Sequence, residues 1–240
     1  MREPGRSTRA AGAVSPARAS ARGAARRVAP ASRRLFAHDR RLGVRCVAGA
    51  DEAGRGCLAG PLVVAAVCLE PDRLPPAARR ALSDLDDSKR LQPAVRQRLA
   101  HVILRVSRQV VVVAASAPTI DRDGLHRTNL RLLRQALGAL DPAPDLCLVD
   151  GFPLGPDAPA HRAIVGGDRR SACIAAASVI AKVTRDRLMC RGAHPAHPGY
   201  GFDAHVGYAT AAHREALQAL GPSPLHRRSF NSSAFGAAPD

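Results

Sequence analysis

Residues 44–56 read Val-Arg-Cys-Val-Ala-Gly-Ala-Asp-Glu-Ala-Gly-Arg-Gly, a short apolar run that ends on two acids and a glycine–arginine–glycine turn. A run of that length suits a buried strand at 44–50 with Asp51 and Glu52 at its C-terminal end. Downstream, 62–69 reads as a second apolar strand between Pro61 and Pro71. The spacing predicts helices over 76–82 and 92–106, a Val-rich strand over 109–115, and a Leu-spaced helix over 125–140 that stops at Asp141-Pro142. A short strand over 146–149 delivers Asp150, and another over 163–165 ends near Asp168. A long apolar helix follows over 172–189, then a helix over 209–220 closed by Gly221-Pro222. An early pair of strands followed by alternating helices and strands implies an α/β domain with a mixed sheet. Open α/β sheets place their sites at such strand ends.

Acids after apolar strands are either solvated loop residues or metal ligands. A single one is ordinarily solvated. Here three segments each deliver one: Asp51-Glu52, Asp150 and Asp168. Adjacent carboxylates repel unless a cation sits between them. Hard oxygen donors suit Mg²⁺ or Mn²⁺ rather than zinc. Two such ions can hold the attacking water and the leaving oxygen of a phosphodiester cleavage. In Gly54-Arg55-Gly56 the glycines let the backbone approach a ligand, and the guanidinium can grip a phosphate. A tight turn with a surface Arg explains the same string equally well.

Asp86-Asp87-Ser88-Lys89 precedes the helix at 92–106, and Asp87 or Ser88 is a candidate cap for it. Lys89 and Lys182 are the only lysines in an arginine-dominated chain. On the helix at 172–189, Ser178, Lys182, Arg185 and Asp186 fall on one face. That stripe reads as support for the site, against the plainer reading of a Lys182–Asp186 pair at a solvated edge.

The formal net charge is +16 over 240 residues, but 12 Arg against Glu3 and Asp39 place about +10 of it in residues 1–45. A basic protein favours polyanions, although the Arg and Ala bias weakens that argument. Residues 1–40 lack an apolar period and read as a disordered basic arm, with 233–240 as a flexible tail and 44–232 as the catalytic domain. A transit peptide shares the arm's composition. Apolar residues make up 46% of the chain, enough for a core, but aromatic ones only 3%, so platforms for stacking bases are scarce. The six Cys show no C-x-x-C spacing and read as free thiols in a reducing cytosol. No apolar run suits a membrane span.

Six strings in order resemble ribonuclease HII: 47–66 (VAGADEAGRGCLAGPLVVAA), 86–91 (DDSKRL), 148–151 (LVDG), 167–189 (GDRRSACIAAASVIAKVTRDRLM), 200–208 (YGFDAHVGY) and 220–230 (LGPSPLHRRSF). The resemblance implies an RNase H-like fold, with a mixed five-stranded sheet flanked by helices and a C-terminal helical segment. It implies a cytoplasmic monomer that hydrolyses the RNA strand of RNA–DNA hybrids and incises 5′ to ribonucleotides embedded in duplex DNA. By motif position Asp51, Glu52, Asp150 and Asp168 are the catalytic acids holding two Mn²⁺ or Mg²⁺ ions. Gly54, Arg55 and Gly56 read the ribose 2′-hydroxyl, Tyr208 packs on the neighbouring sugar, and Lys89, Ser178 and Lys182 lie on the substrate side. The chain departs from the family at Cys57, where Pro is usual, and at Gly166 and Val206, where Lys is usual. The arm is a candidate source of the missing charge. Ribonuclease HIII carries a further folded N-terminal domain that residues 1–40 do not supply. Two other readings share some of these features: a nuclease of the same fold acting on DNA junctions, and a non-catalytic nucleic-acid binder.

Overall fold

The computed structural model describes residues 30–230; most of the expected arm and the whole expected tail lie outside them. Five strands form one sheet in the order β3-β2-β1-β4-β5: β1 Val47–Ala53, β2 Leu62–Leu69, β3 Gln109–Ala115, β4 Leu146–Asp150 and β5 His161–Ile164. β1, β2 and β3 run antiparallel in sequence, while β4 lies parallel to β1 and β5 parallel to β4. The sheet is mixed, as the strand pattern predicts.

Helices cover both faces, so β2 is buried along its full length. Its eight residues are therefore all apolar rather than alternating. On one face Val47, Ala65, Val67 and Leu148 pack with α1 (Pro30–Arg40), α3 (Pro93–Val106) and α6 (Ala172–Leu188), near the short α2 (Pro76–Ala81). On the other, Ala48, Ala50, Val64 and Val149 pack against α5 (Leu125–Gly138), which follows α4 (Ala117–Asp123). Short helices α7 (His194–Ala196) and α8 (Phe202–His205) lead to α9 (Ala211–Leu220). Among the described residues no helix is long and apolar enough to cross a membrane.

The centre of the molecule is the crossing of α6 over β1. A Cβ on Gly49 would lie 2.1 Å from the carbonyl carbon of Cys173, so only glycine lets the first turn of α6 rest on the strand. Ser171 caps that turn by accepting from the Ile174 N–H at 3.3 Å.

The structure corrects the arm. Its last eleven residues form α1, with Leu35 and Phe36 buried in the core. Asp39, fully buried, accepts from the Cys173 N–H at 2.9 Å and so satisfies a free donor in the first turn of α6. Two apolar residues and one acid were enough to dock a segment that arginines make look solvated. Also unforeseen is α4, whose seven residues include a proline and two aspartates and whose start is capped by Ser116.

Candidate active site

β1 and β4 are parallel neighbours, and the register pairs Ala50 with Val149. Asp51 and Asp150 each follow one residue on. The two acids seen at strand ends are thus adjacent at one end of the sheet. Consecutive strand residues face opposite sides, which separates the adjacent acids: Asp51 turns toward Ser178 on α6, and Glu52 toward Arg55. Glu52 Oε1 lies 3.3 Å from the Arg55 guanidinium, and Asp51 Oδ1 accepts from the Glu52 N–H at 2.7 Å. Asp150 Oδ1 accepts from the Gly167 N–H at 2.6 Å, tying β4 to the 3₁₀ turn that carries Asp168.

A cavity of about 250 Å³ opens here, lined by Asp51, Glu52, Ala53, Gly54, Arg55, Gly56, Ser88, Lys89, Asp150, Lys182 and Tyr208. Nine of the eleven residues expected at the site are on that wall. The other two stand behind it: Ser178 bonds Ser88 Oγ at 2.8 Å, and Asp168 is 95% buried on its turn.

The carboxylates are poorly compensated. Burial first, then the charges of Glu52 and Asp150, push the Asp51 carboxyl well above the usual carboxylate range, against the Ser178 and Glu52 hydrogen bonds. Burial, then Asp87 and Asp150, raise the Asp168 carboxyl, against Lys89 and Arg169. Among the described residues no three His, Cys, Asp or Glu side chains are gathered as a finished ligand set for a metal. The donors present are nonetheless all hard oxygens, and their mutual repulsion is what a divalent cation relieves.

The glycine–arginine–glycine turn divides its labour. Gly54 has φ +90°, and a Cβ there would meet Arg185 Nε at 2.0 Å, whereas nothing lies within 4 Å of one on Gly56. Gly54 is required by the interior, and Gly56 leaves open space on the cavity side. Arg185, read in the sequence as part of the polar stripe, is fully buried and faces no solvent. Its guanidinium donates to the carbonyls of Ala59, Pro61 and Val206, each at 2.9 Å. Buried Arg227 does the same for Gly60 and Arg55, with its pKa lowered to about 10 chiefly by burial. Two guanidiniums thus fix the backbone behind the turn.

Lys182 realises both readings of the stripe. Its ammonium pairs with Asp186 at 2.8 Å, and it also lines the cavity and lies 5.0 Å from the centre of the Tyr208 ring. Tyr208 is 37% exposed. The helix cap expected from Asp87 or Ser88 does not form: α3 starts without a side-chain cap, and Asp87 Oδ1 instead closes a turn on the Lys89 N–H at 2.9 Å. That turn aims Ser88 and Lys89 into the cavity. Sequence reasoning missed Ser88 as a cavity residue. It also missed Phe152, an exposed ring 5.5 Å below the Arg55 guanidinium and edge-on to His126.

Solved structures share this arrangement of sheet and helices. Ribonuclease H2 from Pyrococcus horikoshii OT3 matches with a TM-score of 0.64 and 26% identity, over 78% of this chain and 94% of that one. A Bst ribonuclease HIII solved in complex with Mn²⁺ shares the fold, with a TM-score of 0.62 and 21% identity, over 81% and 70% of the two chains. Fold and strand-end carboxylates together define an enzyme of the ribonuclease H class. Sequence narrows the class. The ribonuclease HII family profile matches residues 48–233. The ribonuclease HII of Rhodococcus opacus (strain B4) is 48% identical over 195 residues, 81% of this chain and 83% of that protein. The chain belongs to the ribonuclease HII family.

Proposed function

We propose that the enzyme hydrolyses the RNA strand of RNA–DNA hybrids and incises 5′ to single ribonucleotides embedded in duplex DNA. The observation that carries this reading is the single cavity that brings Asp51, Glu52 and Asp150 together with the Gly54–Arg55–Gly56 turn and Tyr208. Acids alone fit any phosphodiesterase. The open backbone at Gly56 and the aromatic face opposite supply what a 2′-hydroxyl sensor needs.

Asp51, Glu52, Asp150 and Asp168 are the residues that would hold two Mg²⁺ or Mn²⁺ ions. Such ions, when bound, supply Lewis acidity and an activated water. The protein's own groups prepare that site. The Glu52 N–H and the Ser178 hydroxyl orient Asp51, and the Gly167 N–H orients Asp150. Arg55, steadied by Glu52 and the Phe152 ring, presents its remaining donors to a phosphate. Lys89 and Lys182 add positive charge on the wall, and the Tyr208 ring, flanked by Lys182, gives a sugar an apolar surface to rest on.

Cleavage of a ribonucleotide-containing duplex is expected to stop in EDTA and return with Mn²⁺ or Mg²⁺. Asp51→Asn and Asp150→Asn should each lower kcat about 100-fold or more, because metal-held transition states draw several kcal/mol from their ligands. Unaltered cleavage by either variant would overturn the assignment of the acids.

A further inference from the structure

A second and larger cavity, of about 330 Å³, lies beside the first and shares Lys182 with it. It runs between α3 and the end of α6, continuing past α6 along the π-helical turn Met189–Ala193. Its charges are four cations (Arg96, Lys182, Arg187 and Arg191) against Asp186 and Asp203. Of the two carboxylates, Asp186 is already matched by cations, while Asp203 faces a histidine nitrogen that makes no hydrogen bond among the described residues. Asp186 is bridged by Lys182 at 2.8 Å and Arg96 at 3.7 Å, and Asp203 lies 3.1 Å from His194 Nδ1. Arg187 and Arg191 are exposed, and neither forms an ion pair among the described residues. Val183, Ala204 and Val206 contribute the apolar part of the wall.

Two unpaired guanidiniums over an apolar wall match a sugar–phosphate chain: the arginines meet phosphate oxygens and the wall meets the carbons of the sugar. The Lys182–Asp186–Arg96 bridge keeps one net positive charge and forms a rigid seam between the two cavities. Because Lys182 lines both cavities, a strand leaving the catalytic cavity passes beside the groove.

We propose that this groove binds the phosphodiester backbone of the nucleic-acid substrate beyond the cleavage point, with Arg187 and Arg191 as the phosphate contacts. The inference rests on the reading of the first cavity as the cleavage site.

The test compares full-length wild type, Arg187→Ala/Arg191→Ala and a charge-matched control, Arg105→Ala/Arg214→Ala. The control arginines are also exposed and line neither cavity. Binding of a fluorescent DNA duplex with one embedded ribonucleotide is followed by anisotropy in EDTA across a KCl series. Each lost phosphate contact lowers the magnitude of the slope of log K against log salt by about 1. The groove variant should therefore lose about 2 and bind more weakly at every salt, while the control keeps the wild-type slope. A slope unchanged by the groove substitutions, or reduced as much by the control, overturns the proposal. An acidic protein partner as the groove's true occupant predicts that unchanged slope. Intact ribonucleotide cleavage with an unchanged slope removes the groove alone; lost cleavage specificity with a slope reduced by 2 removes the site reading and leaves the groove as a polyanion contact.

Discussion

Asp51 shows at the scale of one residue how its proposed role in metal binding and its contribution to stability oppose each other. A carboxyl whose folded pKa lies above its unfolded value binds its proton more tightly in the fold. It therefore favours folding only at low pH, and that help is gone once the pH rises through the folded value. Holding the Asp51 carboxyl ionised, buried beside Glu52 and Asp150, therefore opposes the fold. Asp51→Asn keeps the oxygen that accepts from the Glu52 N–H and removes the charge. In EDTA it should melt higher than wild type, by about 2–4 °C for each kcal/mol relieved. Added Mn²⁺ should raise the wild-type melting temperature more than that of the variant. A variant that melts lower than wild type in EDTA would contradict this account of the site. Asp51, Glu52 and Asp150 were legible because each ends an apolar run. Arg185 and Arg227 were not, because a buried arginine that bonds only carbonyls has the same sequence signature as a solvated one.

At the scale of elements, the segment bearing Tyr208 is held by three buried histidines. Gly207 N–H donates to His205 Nδ1 at 3.1 Å, and His213 Nδ1 lies 2.8 Å from the Tyr208 carbonyl. His226 Nδ1 accepts from the Ser223 N–H at 2.9 Å, so its Nε2–H faces His213 Nε2 at 3.0 Å. One nitrogen of each ring accepts a hydrogen bond, a role that requires neutral imidazole. Burial above all lowers the pKa of His213, and burial with the nearby His213 lowers that of His226 to about 4. A histidine with a depressed folded pKa contributes stability that is complete above the unfolded value of about 6.5. It is lost as the pH falls through the folded value, since the unfolded chain then binds the extra proton. In EDTA, thermal melts of an Asp51→Asn/Asp168→Asn variant, which lacks the opposing titration of the two raised carboxyls, should therefore be level above about pH 6.5 and fall steadily toward pH 4.5. A melting temperature that rises over that range would contradict the neutral network. The strands were readable from their apolar runs, and β2 and β3 begin and end where the pattern places them. The histidines were not, because 205, 213 and 226 come together only when α8, α9 and the closing loop fold over one another.

For the whole molecule, the charge argument changes place. Most of the net +16 lies near the N-terminus, and residues 1–29 fall outside the described structure, but α1 belongs to the core rather than to an arm. What fits the enzyme to nucleic acid is local: a carboxylate cavity with one lysine shared into a basic groove. The mixed sheet was legible in the order of runs. The junction of the two cavities was not, since it needs α3 and α6 side by side. The central claim is that this cavity selects a ribonucleotide and cleaves beside it. The direct measurement places two duplexes of identical sequence, one all DNA and one with a single ribonucleotide, with the enzyme and Mn²⁺ or Mg²⁺. The account predicts one cut 5′ to the ribonucleotide and an intact all-DNA twin. Equal cutting of both duplexes, or cutting of neither in any divalent ion, would contradict it.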